Sequence, residues 1–113
     1  MINVDGTVIT LAGSVQGNRD GGIADALFNG PTGIATSFDG RRIYVADTSN
    51  TTIRLISLAT NLVSTVAGTA TPGFLDAVGT AAQFNFPIGI ALDAAGYVYV
   101  ADDTNQRIRK ITP

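Results

Sequence analysis

The sequence predicts an all-β chain built from two copies of one four-stranded antiparallel unit. Three observations predict it. Strand formers are abundant while helix-face fillers are nearly missing. One pattern occurs twice along the chain. Each copy holds four short apolar runs divided by turn residues. All nine acidic residues are Asp, and Lys110 is the one lysine, so the Glu and Lys that usually fill exposed helix faces are lacking. Thirteen glycines and the aspartates supply turn chemistry instead.

Taken in chain order, Thr7 to Ala12 is the first β-like run, and it reads as the counterpart of Leu62 to Ala67. Val8-Ile-Thr-Leu-Ala-Gly13 recurs as Val63-Ser-Thr-Val-Ala-Gly68. A long Gly- and Asp-rich connection, Ser14 to Gly30, follows and recurs as Thr69 to Phe86. Phe28-Asn-Gly-Pro-Thr-Gly-Ile-Ala35 returns as Phe84-Asn-Phe-Pro-Ile-Gly-Ile-Ala91. The runs Gly33 to Thr36 and Ile43 to Ala46, joined at Asp39-Gly40, correspond to Gly89 to Leu92 and Val98 to Ala101, joined at Ala95-Gly96. Turn residues Asp47 to Asn50 and Asp102 to Asn105 lead into the third runs, Thr52 to Leu58 and Gln106 to Ile111. Thr60-Asn61 then turns the chain into Leu62 to Ala67. Gaps this short favour antiparallel hairpins. The repeat offset is 55 positions from Val8 to Val63 and from Tyr44 to Tyr99, and 56 from Phe28 to Phe84. Four antiparallel strands in a unit of this size is the pattern of a β-propeller blade.

The same residues resemble the NHL repeat. The first copy carries Asp20-Gly21, Ala26-Leu27-Phe28-Asn29, Pro31, Gly33-Ile34-Ala35, Tyr44-Val-Ala-Asp47, Asn50 and Ile53-Arg54. The second carries Asp76, Ala82-Gln83-Phe84-Asn85, Pro87, Gly89-Ile90-Ala91, Tyr99-Val-Ala-Asp102 and Asn105 to Ile111. At the signature positions the chain reads Asn50-Thr51-Thr52 and Asn105-Gln106-Arg107, with no His, so no His-based function carries over. The resemblance implies a propeller, often of about six blades. It implies no single activity, because propellers of this kind include protein-binding, RNA-binding and enzymatic members.

On this reading the chain divides into residues 1–13, a strand that closes a neighbour's blade, residues 31–67, a complete blade, and residues 87–113, three strands of a second blade. Two blades do not close a ring, since the smallest propellers have about four. The expected partner is the chain itself, in a cyclic homotrimer of six blades or, alternatively, a homotetramer of eight. The N-terminal strand of one copy then completes the C-terminal blade of the next. A chain that starts and stops inside a blade also suits an excised or designed piece. Gly33 and Gly89, each in Pro-x-Gly-Ile-Ala, are expected where inner strands crowd near the axis, because glycine weakens a strand unless close approach requires it.

Candidate chemistry is sparse. With no His and no Cys, Ser-His-Asp and Cys-His sites cannot be assembled within the chain. Asp47 with Asn50, and Asp102 with Asn105, read as hairpin-closing turn residues rather than ligands. The Asp-rich loops lack EF-hand spacing, and there is no Glu to bind calcium bidentately. Gly17 to Gly22 lacks the Gly-Lys-Ser/Thr ending of a phosphate loop. Arg54, Arg107 and Arg109 alternate with apolar residues, and their stems are expected to pack while their heads stay solvated. Asn50-Thr51-Thr52 spells a glycosylation acceptor. The net charge of −2 is scattered, with no basic stripe to meet nucleic acid. No apolar run reaches the ~20 residues that span a bilayer, and the first residues lack the basic start and apolar core of a signal peptide. The expectation is therefore a non-catalytic ring-forming scaffold that binds protein or small molecules, with no catalytic residue, cofactor or metal assigned. The alternative is a piece of a metal-dependent lyase or lactonase propeller whose catalytic residues lie elsewhere.

Overall fold

The computed structural model describes residues 5–113. Its strands are β1 (Gly21–Gly22), β2 (Pro31–Thr36), β3 (Arg42–Asp47), β4 (Thr52–Ser57), β5 (Leu62–Gly68), β6 (Pro87–Leu92), β7 (Val98–Asp102) and β8 (Arg107–Ile111). The only helical pieces among the described residues are two three-residue 3-10 turns, Thr48–Asn50 and Gly79–Ala81. The fold is all-β, and every pairing between these eight strands is antiparallel. The first sheet runs β1-β5-β4-β3-β2, and the second runs β6-β7-β8.

The two sheets repeat each other in register. Tyr44 faces Leu55 and Ala46 faces Ile53 in the first. Tyr99 faces Lys110 and Ala101 faces Ile108 in the second. Both inner strands carry the same irregularity, between Pro31 and Gly33 and between Pro87 and Gly89. Proline donates no ladder hydrogen bond, which confines it to a strand's start, an edge or a bulge. The strands accordingly begin at Pro31 and Pro87, two residues before the glycines where the apolar runs start.

The alternation of side chains gives the first sheet two apolar faces, and both are covered. Tyr44, Ala46, Ile53 and Ala67 meet Val98, Val100 and Phe84, with Ile90, Leu92 and Ile111 packed around them. On the opposite face Ile43, Val45, Ile56 and Val63 close over Ala26, with Ala12, Ile23, Phe28 and Leu58 at the margin. The connection from Ser14 to Gly30 is therefore more than a crossing. It lays Ala26 into a core and adds β1 to the outer edge of β5, with Gly21 opposite Val63.

Gly33 sits where β2 meets β6. A Cβ there would lie 2.1 Å from the Ile88 carbonyl oxygen, so the expected crowding holds at this position. Gly89 differs, because the nearest atom to its Cβ would be the Ala101 Cβ at an ordinary 3.4 Å. The crowding expected at Gly89 is not present, since among the described residues no further inner strand lies against β6 on that side.

The run from Thr7 to Ala12 is not a strand within the chain. Its described residues belong to neither sheet, and Val8, Ile9 and Leu11 are exposed. Residues 1–4 of the closing segment lie outside the described residues. The second sheet has three strands, and no strand pairs with the outer edge of β8 among the described residues.

Candidate functional site

The densest polar chemistry lies where each third strand meets the long connection before its sheet. Arg54 projects from the middle of β4 and is fully buried. Its Nη1 donates to the Asp47 carboxylate at 2.7 Å and to the Leu27 carbonyl at 2.9 Å. Its Nη2 donates to the Asp20 carboxylate at 2.8 Å and the Arg19 carbonyl at 2.7 Å, and Nε reaches Asp20 at 3.2 Å. A guanidinium has five N–H donors, and all of them are committed here. Asp47 is equally occupied. One oxygen accepts the Asn29 backbone N–H at 2.8 Å, and the other accepts Arg54 and the Asn50 side-chain amide, the latter at 2.7 Å.

The second copy reproduces this set contact by contact. Arg109 donates to Asp102, Asp76 and the carbonyls of Gln83 and Leu75. Asp102 accepts from the Asn85 N–H and the Asn105 amide. Asn50 and Asn105 each send a second amide hydrogen to a connection carbonyl, Gly17 and Gly73 respectively. The expected Asp–Asn pairs thus come together, but their reach is longer than a hairpin turn. They pin connections that lie far away in the chain.

The arginines depart from expectation. The heads of Arg54 and Arg109 are buried ion-pair centres, not solvated tips, because carboxylates and carbonyls converge on them from strand and connection together. Aromatic rings add to the setting. Arg54 lies 4.8 Å from the centre of Phe28, and Arg109 lies 4.8 Å from Phe84. Arg107 is exposed and lies over Phe74 at 4.1 Å. Asn50 is buried and donates both to Asp47 and to Gly17, so the acceptor sequence at Asn50 is used up structurally. No cluster of three or more His, Cys, Asp or Glu side chains that could hold a metal occurs among the described residues. No helix among them is long and apolar enough to cross a membrane.

The buried members, Arg54, Arg109, Asp47 and Asp102, are hydrogen-bonded within the fold, whereas Asp20 and Asp76 lie at the exposed rim. The clusters act as clasps between strand and connection. The sequence showed the Asp–Asn pairs, but the arginines apart from them. What it lacked was the link from Arg54 to Asp20, 34 positions away, and from Arg109 to Asp76, 33 positions away. The available signal was that Asp20 and Asp76 stand at matching places in the two copies.

An open groove of about 580 Å³ runs along β8, lined by Phe74, Asp76, Val78, Phe84, Ile108 and Arg109 among others. It occupies the place that β5 fills in the first sheet. A smaller one of about 360 Å³ lies between Thr10 to Gln16 and Phe28 to Pro31.

Antiparallel sheets stacked through repeated inner strands, each clasped to the connection before it, define a propeller-type repeat protein. The NHL repeat model matches residues 28–54 and 84–111, the stretches that hold these clasps. The chain belongs to the NHL-repeat family and carries two of its repeats. It is 38% identical over 95 residues to the protein Suppressor of Quenching 1, chloroplastic, of Arabidopsis thaliana, covering 84% of this chain and 9% of that one. A Bacteroides thetaiotaomicron protein of unknown function superposes with a TM-score of 0.82 at 31% identity, over 88% of this chain and 26% of its own. An auxiliary nutrient binding protein of the same organism gives 0.76 at 28% identity, over 90% of this chain and 28% of its own. The chain thus spans under a tenth of the curated relative and about a quarter of the solved ones.

Proposed function

We propose that this chain is a non-catalytic propeller module that closes into a ring with copies of itself and serves as a binding scaffold. Each sheet is one blade, the first complete in four long strands and the second awaiting its fourth. The observation that carries the reading is a mismatch between equivalent positions. Ile53 on β4 is 0% exposed, whereas Ile108 on β8, its repeat partner, is 74% exposed. A blade face that is core in one copy and bare in the next is an interface without its neighbour. Three chains give six blades and four give eight, and the trimer is the favoured count.

The scaffold role rests on how the charged clusters are used. Arg54, Arg109, Asp47 and Asp102 are spent on holding the fold, and the exposed Asp76 has, among the described residues, no second titratable group beside it other than Arg109 for acid–base work. A nutrient-binding protein among the structural neighbours fits a binding role for the assembled propeller. Native mass spectrometry at micromolar concentration tests the ring directly. A closed trimer or tetramer is expected, and a monomer overturns self-assembly. Metal titration and ester or lactone hydrolysis by the assembled protein test the non-catalytic part. Turnover there would move the chain into the enzymatic propellers.

A further inference from the structure

We infer that Thr7 to Gly13 of one copy forms the fourth strand on β8 of another copy, with Ile9 opposite Lys110 and the Thr10 hydroxyl on the Asp76 carboxylate. This rests on the ring reading and specifies the contact that closes it.

The first sheet shows the finished version of this contact. There β5 pairs with β4, setting Ser64 opposite Leu55 and Ala67 opposite Ile53. Val63 is buried at 2% exposure beneath β1 and the connection. The Thr65 hydroxyl donates to Asp20 at 3.0 Å, alongside Arg54. In the second sheet the corresponding edge of β8 borders the open groove. The Asp76 side chain is 80% exposed there, against 47% for Asp20, which has Thr65 beside it.

The chain contains one further copy of the β5 sequence, and it is unused. Val8 matches Val63 but is 91% exposed. Thr10 matches Thr65, and Ala12 matches Ala67. The end of this segment already has the required geometry. Gly13 has φ +93° and packs toward Phe28, while Gly68 has φ +92° and packs toward Phe84, the repeat partner of Phe28. A chain leaving Gly13 in the manner of Gly68 therefore enters the sheet that precedes its own first sheet. In the proposed ring that sheet is the second sheet of another copy.

One docking event then satisfies several groups together. The donated strand fills the groove, with Val8 opposite Ile111 and Ala12 opposite Ile108. By the repeat offset, Ala77 and Val78 of the receiving copy correspond to Gly21 and Gly22, which pair with Val63 and Leu62 in the first sheet, and so would come against Val8 and Thr7. The face bearing exposed Ile108 and half-buried Tyr99 comes against the sheet that carries Ile34, itself 65% exposed. No new kind of partner is required, because each contact has a counterpart at the equivalent place in the first sheet.

The sequence has no cysteine, so a single engineered pair is read without background. Ile9→Cys combined with Lys110→Cys, both at exposed positions, is oxidised and run without reductant. Covalent dimers and larger species that collapse on reduction are expected. Ile9→Cys with Arg107→Cys is the register control and should stay uncrosslinked, because three residues displace the thiols by roughly 10 Å. In the cysteine-free chain, Thr10→Val should raise the assembly midpoint concentration severalfold, and Thr10→Ser should restore it. An assembly of unchanged native mass that never crosslinks overturns the strand donation and leaves the ring intact. Crosslinking within one chain also overturns it. A monomer with no crosslink overturns both readings.

Discussion

Ile53 and Ile108 hold the same place on the third strand of their sheets, opposite Ala46 and Ala101, yet one is sealed and the other bare. Smaller differences of the same direction separate Tyr44, buried, from Tyr99, half-buried, and Asp20, 47% exposed, from Asp76, 80% exposed, while a Cβ is blocked at Gly33 and free at Gly89. Sequence is nearly constant across each pair, so the difference comes from what lies alongside. In a repeat fold each unit is completed by its neighbours, and a residue's burial is a property of the array rather than of its own unit. Comparing the two copies therefore locates the missing contacts.

The clasps provide the largest test of that comparison. Arg54→Met leaves Asp47 buried with no cation, and breaking a buried pair from one side costs about 3–5 kcal/mol. That is a large part of the ~5–15 kcal/mol that holds a typical domain folded. Arg109→Met should cost less, about 2–3 kcal/mol, because Asp76 is well solvated and its pairing is screened. Urea midpoints of the two variants measure the gap. Equal losses would mean that the second clasp is as dry as the first, hence that its open side is covered in solution.

The glycines sharpen the comparison further. Gly33→Ala drives a methyl group into the Ile88 carbonyl and should cost about 1–3 kcal/mol by overpacking. Gly89→Ala meets only ordinary contacts in the single chain, and the loss of unfolded-chain freedom makes it neutral or stabilising by up to about 1 kcal/mol. In a closed ring, Gly89 faces a neighbour's β2 as Gly33 faces β6, and Gly89→Ala then weakens assembly while sparing the lone chain. Native mass measured against concentration separates the two effects.

These outcomes also show what the sequence carried. The strand runs, their turns and the Gly33 contact were legible because each is local or recurs at a fixed offset. Asp47 with Asn50 was legible as a pair for the same reason. The buried state of Arg54 and Arg109 was not. It depends on Asp20 and Asp76 folding back from distant connections, and no local period marks such a return. The run from Thr7 to Ala12 shows the converse limit. Its strand pattern is plain, but a strand needs an edge to pair with, and its own chain presents none beside it.

The two inner hairpins predict how acid acts. In the first, the Ser37 hydroxyl and the Arg41 N–H donate to Asp39 and hold its carboxyl below the ordinary range. In the second, desolvation pushes Asp93 upward, but the Tyr97 N–H, the Tyr99 hydroxyl and the Ala95 and Gly96 N–H groups outweigh it and the net shift is downward. A depressed carboxyl stabilises the fold above its unfolded pKa of about 3.9, and this is lost as pH falls through the lower folded value. The Asp93 contact also holds the Tyr99 hydroxyl above its usual pKa, so its contribution is present below about pH 10 and fades as pH rises through the folded value. Asp93→Asn should flatten both limbs of the stability profile, whereas Asp39→Asn should flatten only the acid limb. Thermal melts across pH distinguish them, and an unchanged alkaline limb in Asp93→Asn would remove the Tyr99 contact from the account.

The smallest effect sits at the turn before each third strand, where Thr51 and Gln106 hold φ of 56° and 57°. A side chain in this left-handed region costs roughly 1–2 kcal/mol, which glycine avoids. Glycine returns about 0.4–1 kcal/mol of that through a freer unfolded chain. Gln106 is exposed, and its one side-chain bond, to the Asp103 carbonyl, competes with water. Gln106→Gly should therefore stabilise the chain by about 0.5 kcal/mol. Thr51 is buried, and its hydroxyl sits against the carbonyls of Asn50 and Thr69. Thr51→Gly removes that hydroxyl and leaves the Thr69 carbonyl without this donor, a loss of about 1 kcal/mol or more that reverses the sign. Opposite shifts in urea midpoint are expected from the same substitution at the same turn. A gain at both positions would show that the Thr51 hydroxyl adds nothing, and that the first turn is held by its backbone alone.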